Sequence, residues 1–137
     1  MKDPCMPDDC CVPESSTAAA SAKTQVIHAI EFPPRKVEME GADGATIREL
    51  ITCREGAPNF AMRMFEVAPG GHTPLHTHPY EHEVFILDGE GELRGGLEAR
   101  PLRPGDAVFV PADALHQFNN PGRKTLRFLC LIPNLPK

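Results

Sequence analysis

The stretch Gly70-Gly71-His72-Thr73-Pro74-Leu75-His76-Thr77-His78-Pro79-Tyr80-Glu81-His82-Glu83-Val84-Phe85-Ile86-Leu87 decides how the chain is read. Three of the six histidines fall in the seven-residue segment 76–82. In a strand, side chains at i and i+2 share a face, about 6.6 Å apart along the backbone. His76 and His78 are therefore expected to turn their rings toward one point. Pro79 cannot donate to a ladder, so a bend belongs there. The bend brings His82, at the start of the next strand, against the same point. Glu83-Val84-Phe85-Ile86-Leu87 then reads as a strand apolar on both faces, the pattern of one packed inside a barrel. His72 shares the parity of 74, 76 and 78 but lies at the far end of its strand, outside the cluster. His28 has no supporting context.

Outward from this stretch, short apolar runs alternate with turn signals at 41–44, 69–71, 88–91, 103–106 and 119–122. Strands are predicted at 26–31, 46–52, 60–67, 72–78, 82–88, 92–97, 107–110, 115–119 and 125–132. Fifteen prolines, eleven glycines and no clear helical period in 137 residues predict an all-β sandwich or barrel. One such domain spans 25–137. Residues 1–24 form a low-complexity tail rich in Cys, Pro and Ala, expected to be disordered or loosely attached. Cys5, Cys10 and Cys11 in it are expected to be reduced, with a zinc, redox or lipidation role as the alternative.

A fourth histidine, His116, follows the turn–strand–turn unit 104–115 and is delivered to a strand start. With it, the chain resembles the two motifs of the cupin superfamily. The first motif runs Gly, five residues, His-x-His, three or four residues, Glu, six residues, Gly. Here stand Gly70, His76, His78, position 82 and Gly89. The second runs Gly, five residues, Pro-x-Gly, two residues, His, three residues, Asn. Here stand Gly105, Pro111, Asp113, His116 and Asn120. Asp113 replaces a turn glycine, which a residue tolerant of left-handed backbone can do. His82 stands where the family usually has a glutamate ligand. Over about 44–133 the chain looks most like the small single-domain manganese cupins with a four-histidine site. It shares with them the runs 57–60, 79–82 (with Trp in them where Tyr80 stands here) and 128–133.

The resemblance implies a double-stranded β-helix, the cupin jelly-roll barrel, with one divalent transition metal on His76, His78, His82 and His116. Three histidines and a carboxylate would leave a net charge of +1 on a divalent site, and four imidazoles leave +2. That favours Lewis acidity and anionic ligands and disfavours the trivalent state. Four ligands leave two adjacent octahedral positions open for water, peroxide, O₂ or a bidentate substrate. Imidazole accommodates Mn, Fe, Co, Ni, Cu and Zn; the resemblance points to Mn, with Fe next. Alternation and family topology make Phe118, Phe128 and Cys130 candidate pocket walls, with ordinary core packing as the alternative for each. Arg63, facing opposite to Met62 and Met64, binds a substrate carboxylate if inward and is surface if outward. Glu81 and Glu83 flank His82 and are candidates to orient its ring, or are solvated.

The formal charge of −5 and scattered basic residues argue against nucleic acid or an anionic membrane surface as partner. No run approaches the roughly 18 apolar residues of a transmembrane helix, and the N-terminus lacks a secretory apolar core, so a cytoplasmic protein is expected. The leading functional expectation is a metal-dependent oxidoreductase acting on a small organic substrate, either an oxygenase or a peroxide-dependent cleavage enzyme. The alternatives are a metal-dependent isomerase, lyase or decarboxylase, and a non-catalytic binding module. The resemblance also implies a homodimer.

Overall fold

The computed structural model describes residues 23–96 and 98–134. The segment 1–22, with Cys5, Cys10 and Cys11, lies outside the described residues. Strand β3 (Phe60–His72) is the axis of the fold. One of its edges pairs with β2 (Asp43–Ile51), which carries the short β1 (Arg35–Lys36). Its other edge pairs first with β9 (Leu126–Pro133) and, at His72, with β8 (Gln117–Asn119). Beyond β9 come β4 (His82–Asp88) and then β7 (Ala107–Val110). Beyond β8 come β5 (Gly91–Arg94) and β6 (Arg100–Leu102). Every pairing is antiparallel, and the nine strands make one curled sheet. This is the expected all-β architecture.

Period-two patterning explains which side closes on the core. Along β9, Leu126, Phe128, Cys130 and Ile132 are at most 1% exposed, while Arg127, Leu129 and Leu131 are half-buried. Ala61, Phe65 and Val67 of β3, Ala45 and Ile47 of β2, and Val84 and Ile86 of β4 meet them inside. Each large apolar side chain so buried stabilises by roughly 1.5–3 kcal/mol. Asn120, 1% exposed, locks the turn between β8 and β9. Its amide donates to the carbonyls of Val67 (2.8 Å) and Lys124 (2.7 Å), and its Oδ1 accepts from the Gly122 N–H (3.0 Å). At Gly89, φ is +80° and a Cβ would stand 2.3 Å from the Thr125 carbonyl oxygen, so that turn requires glycine.

Several expectations are corrected. Segment 26–31 is no strand: Val26 (97%) and Ile30 (78%) are exposed, and Ala29–Glu31 is a 3₁₀ turn capped by His28 Nδ1. Apolar residues there found no sheet edge to cover. The turn predicted at 69–71 is instead a bulge within β3, with Gly70 at φ +81°. It persists because Gly70 N–H donates to the Asn120 carbonyl and Asn120 N–H to the Gly71 carbonyl. The strand predicted at 72–78 ends at His72, and only an isolated bridge, His76 to His116, continues it. Strand β4 is not buried on both faces, since Phe85 (44%) and Leu87 (39%) look outward. Antiparallel sheets commonly leave one face to solvent.

Candidate metal centre

His76 and His78 sit on irregular backbone after β3, His82 opens β4, and His116 immediately precedes β8. The two outer segments are tied together by reciprocal N–H to carbonyl bonds between His76 and His116, both 3.1 Å. Asp113 N–H also donates to the His78 carbonyl at 2.8 Å. Asp113 has φ +65°, the left-handed geometry that the motif's glycine would supply.

His76, His78 and His116 each offer a ring nitrogen within 4.8 Å of the others, a group that can hold a metal ion. The three rings lie 4.8–5.0 Å apart, centre to centre. Each Nδ1 faces a backbone carbonyl: Pro74 for His76 (3.1 Å), Tyr80 for His78 (3.1 Å) and Ala114 for His116 (2.9 Å). A carbonyl only accepts, so Nδ1 carries the hydrogen and Nε2 is the lone-pair nitrogen of each neutral ring. That is the tautomer a metal requires, fixed by the protein beforehand.

His82 stands beside this trio and not within it. Its ring stacks on His78 (4.1 Å, 4°) and lies 5.0 Å from His116. Its Nε2 is 2.5 Å from His78 Nε2. The two ring nitrogens therefore face one another. Burial, followed by the nearby His78, Arg63, His116 and His76, holds the His82 pKa far below the ordinary histidine value. The ring is therefore neutral and fit to donate.

His76, His82 and His116 line a small cavity of about 20 Å³ together with Phe65, Thr73, Pro74, Phe118, Phe128 and Cys130. Its wall is aromatic: Phe128 stacks on Phe65 (5.3 Å) and touches Phe118 (4.7 Å). Arg63 points inward but behind this wall, 0% exposed, with its guanidinium 5.3 Å over Phe65 and Nη2 donating to Cys130 Sγ (2.9 Å). It does not border the cavity.

Glu81 and Glu83 are exposed and bond to each other. The Glu81 hydrogen bond, partial burial and the Glu81 charge raise the Glu83 carboxyl to about 6. Neither is the ring's partner; Cys130 Sγ lies 3.1 Å from His82 Nδ1. Sequence reasoning missed Thr73, whose Oγ1 accepts the Phe118 N–H (2.9 Å), and Tyr80, stacked on His78 (4.2 Å). Tyr80 lay inside the quoted stretch. Phe65 was reachable by parity from Arg63. Thr73 carried no signal. His72 and His28 stay outside the metal-capable group.

The cupin domain family model matches residues 63–132. The chain belongs to the cupin family. It is 40% identical over 81 residues to 1-methylthio-D-xylulose 5-phosphate methylsulfurylase of Rhodospirillum rubrum, covering 55% of this chain and 52% of that protein. The chain thus spans about half the length of that curated relative. It is 30% identical over 112 residues to the oxalate-binding protein of Thermotoga maritima, covering 78% of this chain and 92% of that one. The polyketide cyclase RemF from Streptomyces resistomycificus superposes with a TM-score of 0.77 at 33% identity, covering 82% and 81% of the two chains. No helix among the described residues is long and apolar enough to cross a membrane.

Proposed function

We propose that this protein is a metal-dependent enzyme whose centre is one divalent transition ion on His76, His78, His82 and His116, acting on a small organic molecule. The carrying observation is the set of hydrogen bonds that turns three Nδ1 nitrogens onto carbonyls and so commits their Nε2 atoms to one point. Manganese is the proposed ion, as in the four-histidine cupins the sequence resembles; Fe, Co, Ni, Cu and Zn suit the same donors. Such an ion would supply Lewis acidity with no ligand carboxylate to neutralise it. Phe65, Phe118 and Phe128 would close the core side of the ion and keep bulk water from it. A Lewis-acid reaction such as cyclisation, isomerisation, lyase or decarboxylation chemistry is the better fit. The all-neutral donor set supports it, and so does the likeness to a protein named as a polyketide cyclase.

The second reading is the oxidoreductase, with O₂ or peroxide as co-substrate. The apolar cavity wall favours it, since a dry site shelters reactive oxygen chemistry. The deciding experiment is anaerobic purification, metal quantification, and an activity screen with and without O₂ and peroxide. Turnover without oxidant supports the Lewis-acid reading, and oxygen consumption coupled to product supports the second. Stoichiometric failure to bind Mn, Fe, Co, Ni, Cu or Zn would sink both. A homodimer is proposed as the working assembly, supported by Phe85 (44%) and Phe109 (63%) exposed on the outer face of β4 and the edge strand β7. Light scattering on wild type and Phe109→Asp checks it, with a monomeric wild type as the contrary outcome.

A further inference from the structure

The most unusual side chain in the core is Arg63. It is 0% exposed, and a guanidinium stays charged at every accessible pH. Burying a permanent charge is tolerated only where polar groups answer it. Strand register says which groups do so. On β2 the residue opposite Arg63 is Glu49, and on β9 it is Cys130. Directly opposed residues share a face, so Glu49, Arg63 and Cys130 form one inward row across three adjacent strands. Glu49 is itself buried and paired with Arg35. Cys130 is opposite Val84 on β4, and His82 lies two residues from Val84 on the same face. The row thus ends on the histidine that sits apart from the other three.

At that end, Arg63 Nη2 donates to Cys130 Sγ (2.9 Å), and the same sulfur lies 3.1 Å from His82 Nδ1. For His82 to offer Nε2 inward, Nδ1 must carry the hydrogen and donate it to that sulfur. We propose that Arg63 and Cys130 are positioning residues for His82. Arg63 anchors the sulfur as an acceptor, and the sulfur fixes the tautomer and orientation that bring His82 Nε2 to the cluster. Arg63 is then no substrate ligand, and Cys130 acts through His82 and not on the substrate. The proposal rests on the metal-centre reading above.

The test measures Mn(II) and Co(II) affinity by titration, together with the Co(II) absorption spectrum. The proteins are wild type, Cys130→Ala, Cys130→Ser, Arg63→Lys, His82→Ala and the double variant Cys130→Ala/His82→Ala. Outer partners of metal ligands typically contribute 10–100-fold in affinity. Cys130→Ala should weaken binding by about that factor and shift the Co(II) bands toward those of His82→Ala. Cys130→Ser, whose hydroxyl still accepts, should recover most of the loss, and Arg63→Lys should fall between. In the His82→Ala background, adding Cys130→Ala should change affinity by less than about twofold, because the group it acts through is gone. A merely structural role would instead lower the metal-free melting temperature and weaken binding equally in both backgrounds. That pattern, or unchanged affinity and spectrum in Cys130→Ala, overturns the proposal while leaving the metal centre standing. A wild type that binds neither ion overturns both.

Discussion

Two regions of this molecule hold imidazoles in different ways. His76, His78 and His116 lie on irregular backbone, and each is oriented by a carbonyl two residues away in sequence. His82 lies on regular strand β4, between β7 on one side and β9 on the other. A strand's carbonyls are spent in its ladders, so a strand-borne ring cannot borrow one. It finds a side chain from the neighbouring strand, the Cys130 sulfur. Loop-borne rings are thus held by atoms that every residue possesses. The strand-borne ring depends on one particular residue 48 positions away. The first arrangement should tolerate substitution around it and the second should not.

The largest effect comes from removing a loop-borne ring outright. His76→Ala or His116→Ala should weaken metal binding by more than about 100-fold, beyond the range of outer partners, measured as metal retained after desalting. Retention equal to wild type would remove that ring from the centre.

Next in size is a pH effect confined to the strand-borne ring. Burial, followed by the nearby His78, Arg63, His116 and His76, depresses the His82 pKa in the fold, whereas unfolded it titrates near 6.5. Above pH 6.5 both states leave the ring neutral and its contribution is intact. Below that, the unfolded chain takes up a proton that the metal-free fold refuses. Stability should therefore fall with decreasing pH by up to about 1.4 kcal/mol per unit. Urea midpoints between pH 7.5 and 5 should show this slope in wild type and a shallower one in His82→Gln. Equal slopes would assign the acid sensitivity elsewhere. Glu83 runs the other way and more weakly. Its carboxyl, raised to about 6 by Glu81, favours the fold at low pH and loses that contribution as pH climbs through 6. Glu83→Gln should therefore slightly steepen the same profile on its acid side, below about pH 6, and an unchanged profile would mean that solvent screens the pair.

The same contrast explains what was legible in the sequence. The histidine spacing and the framing glycines, prolines and Asn120 are local patterns, and they led to the family. The geometry behind them is not local. Parity places His76 and His78 on a strand, yet they converge because irregular backbone supplies carbonyl partners. Parity also left Arg63 undecided, since alternation separates two faces without naming the inner one. Only the register Glu49–Arg63–Cys130 settles it, and register is a property of three strands distant in sequence. For the same reason Glu81 and Glu83 drew attention as neighbours of His82 in sequence, while its partner in space was Cys130. Segment 26–31 misled because apolar residues read as a strand only where an edge exists to receive them.

The smallest expected effect is the sharpest check on the comparison. Tyr80 touches His78 twice, through a ring stacked at 4.2 Å and 6° and through the backbone carbonyl that accepts the Nδ1 hydrogen. Tyr80→Phe keeps the ring, the stacking and the carbonyl. If loop-borne histidines are held by backbone, this variant should bind Mn(II) within about twofold of wild type, far from the 10–100-fold losses typical of outer side-chain partners. Titration of the two proteins side by side gives the answer. A tenfold loss in Tyr80→Phe would mean that the phenol hydroxyl, and not the carbonyl, governs His78. The division between backbone-held and side-chain-held rings would then fail at His78.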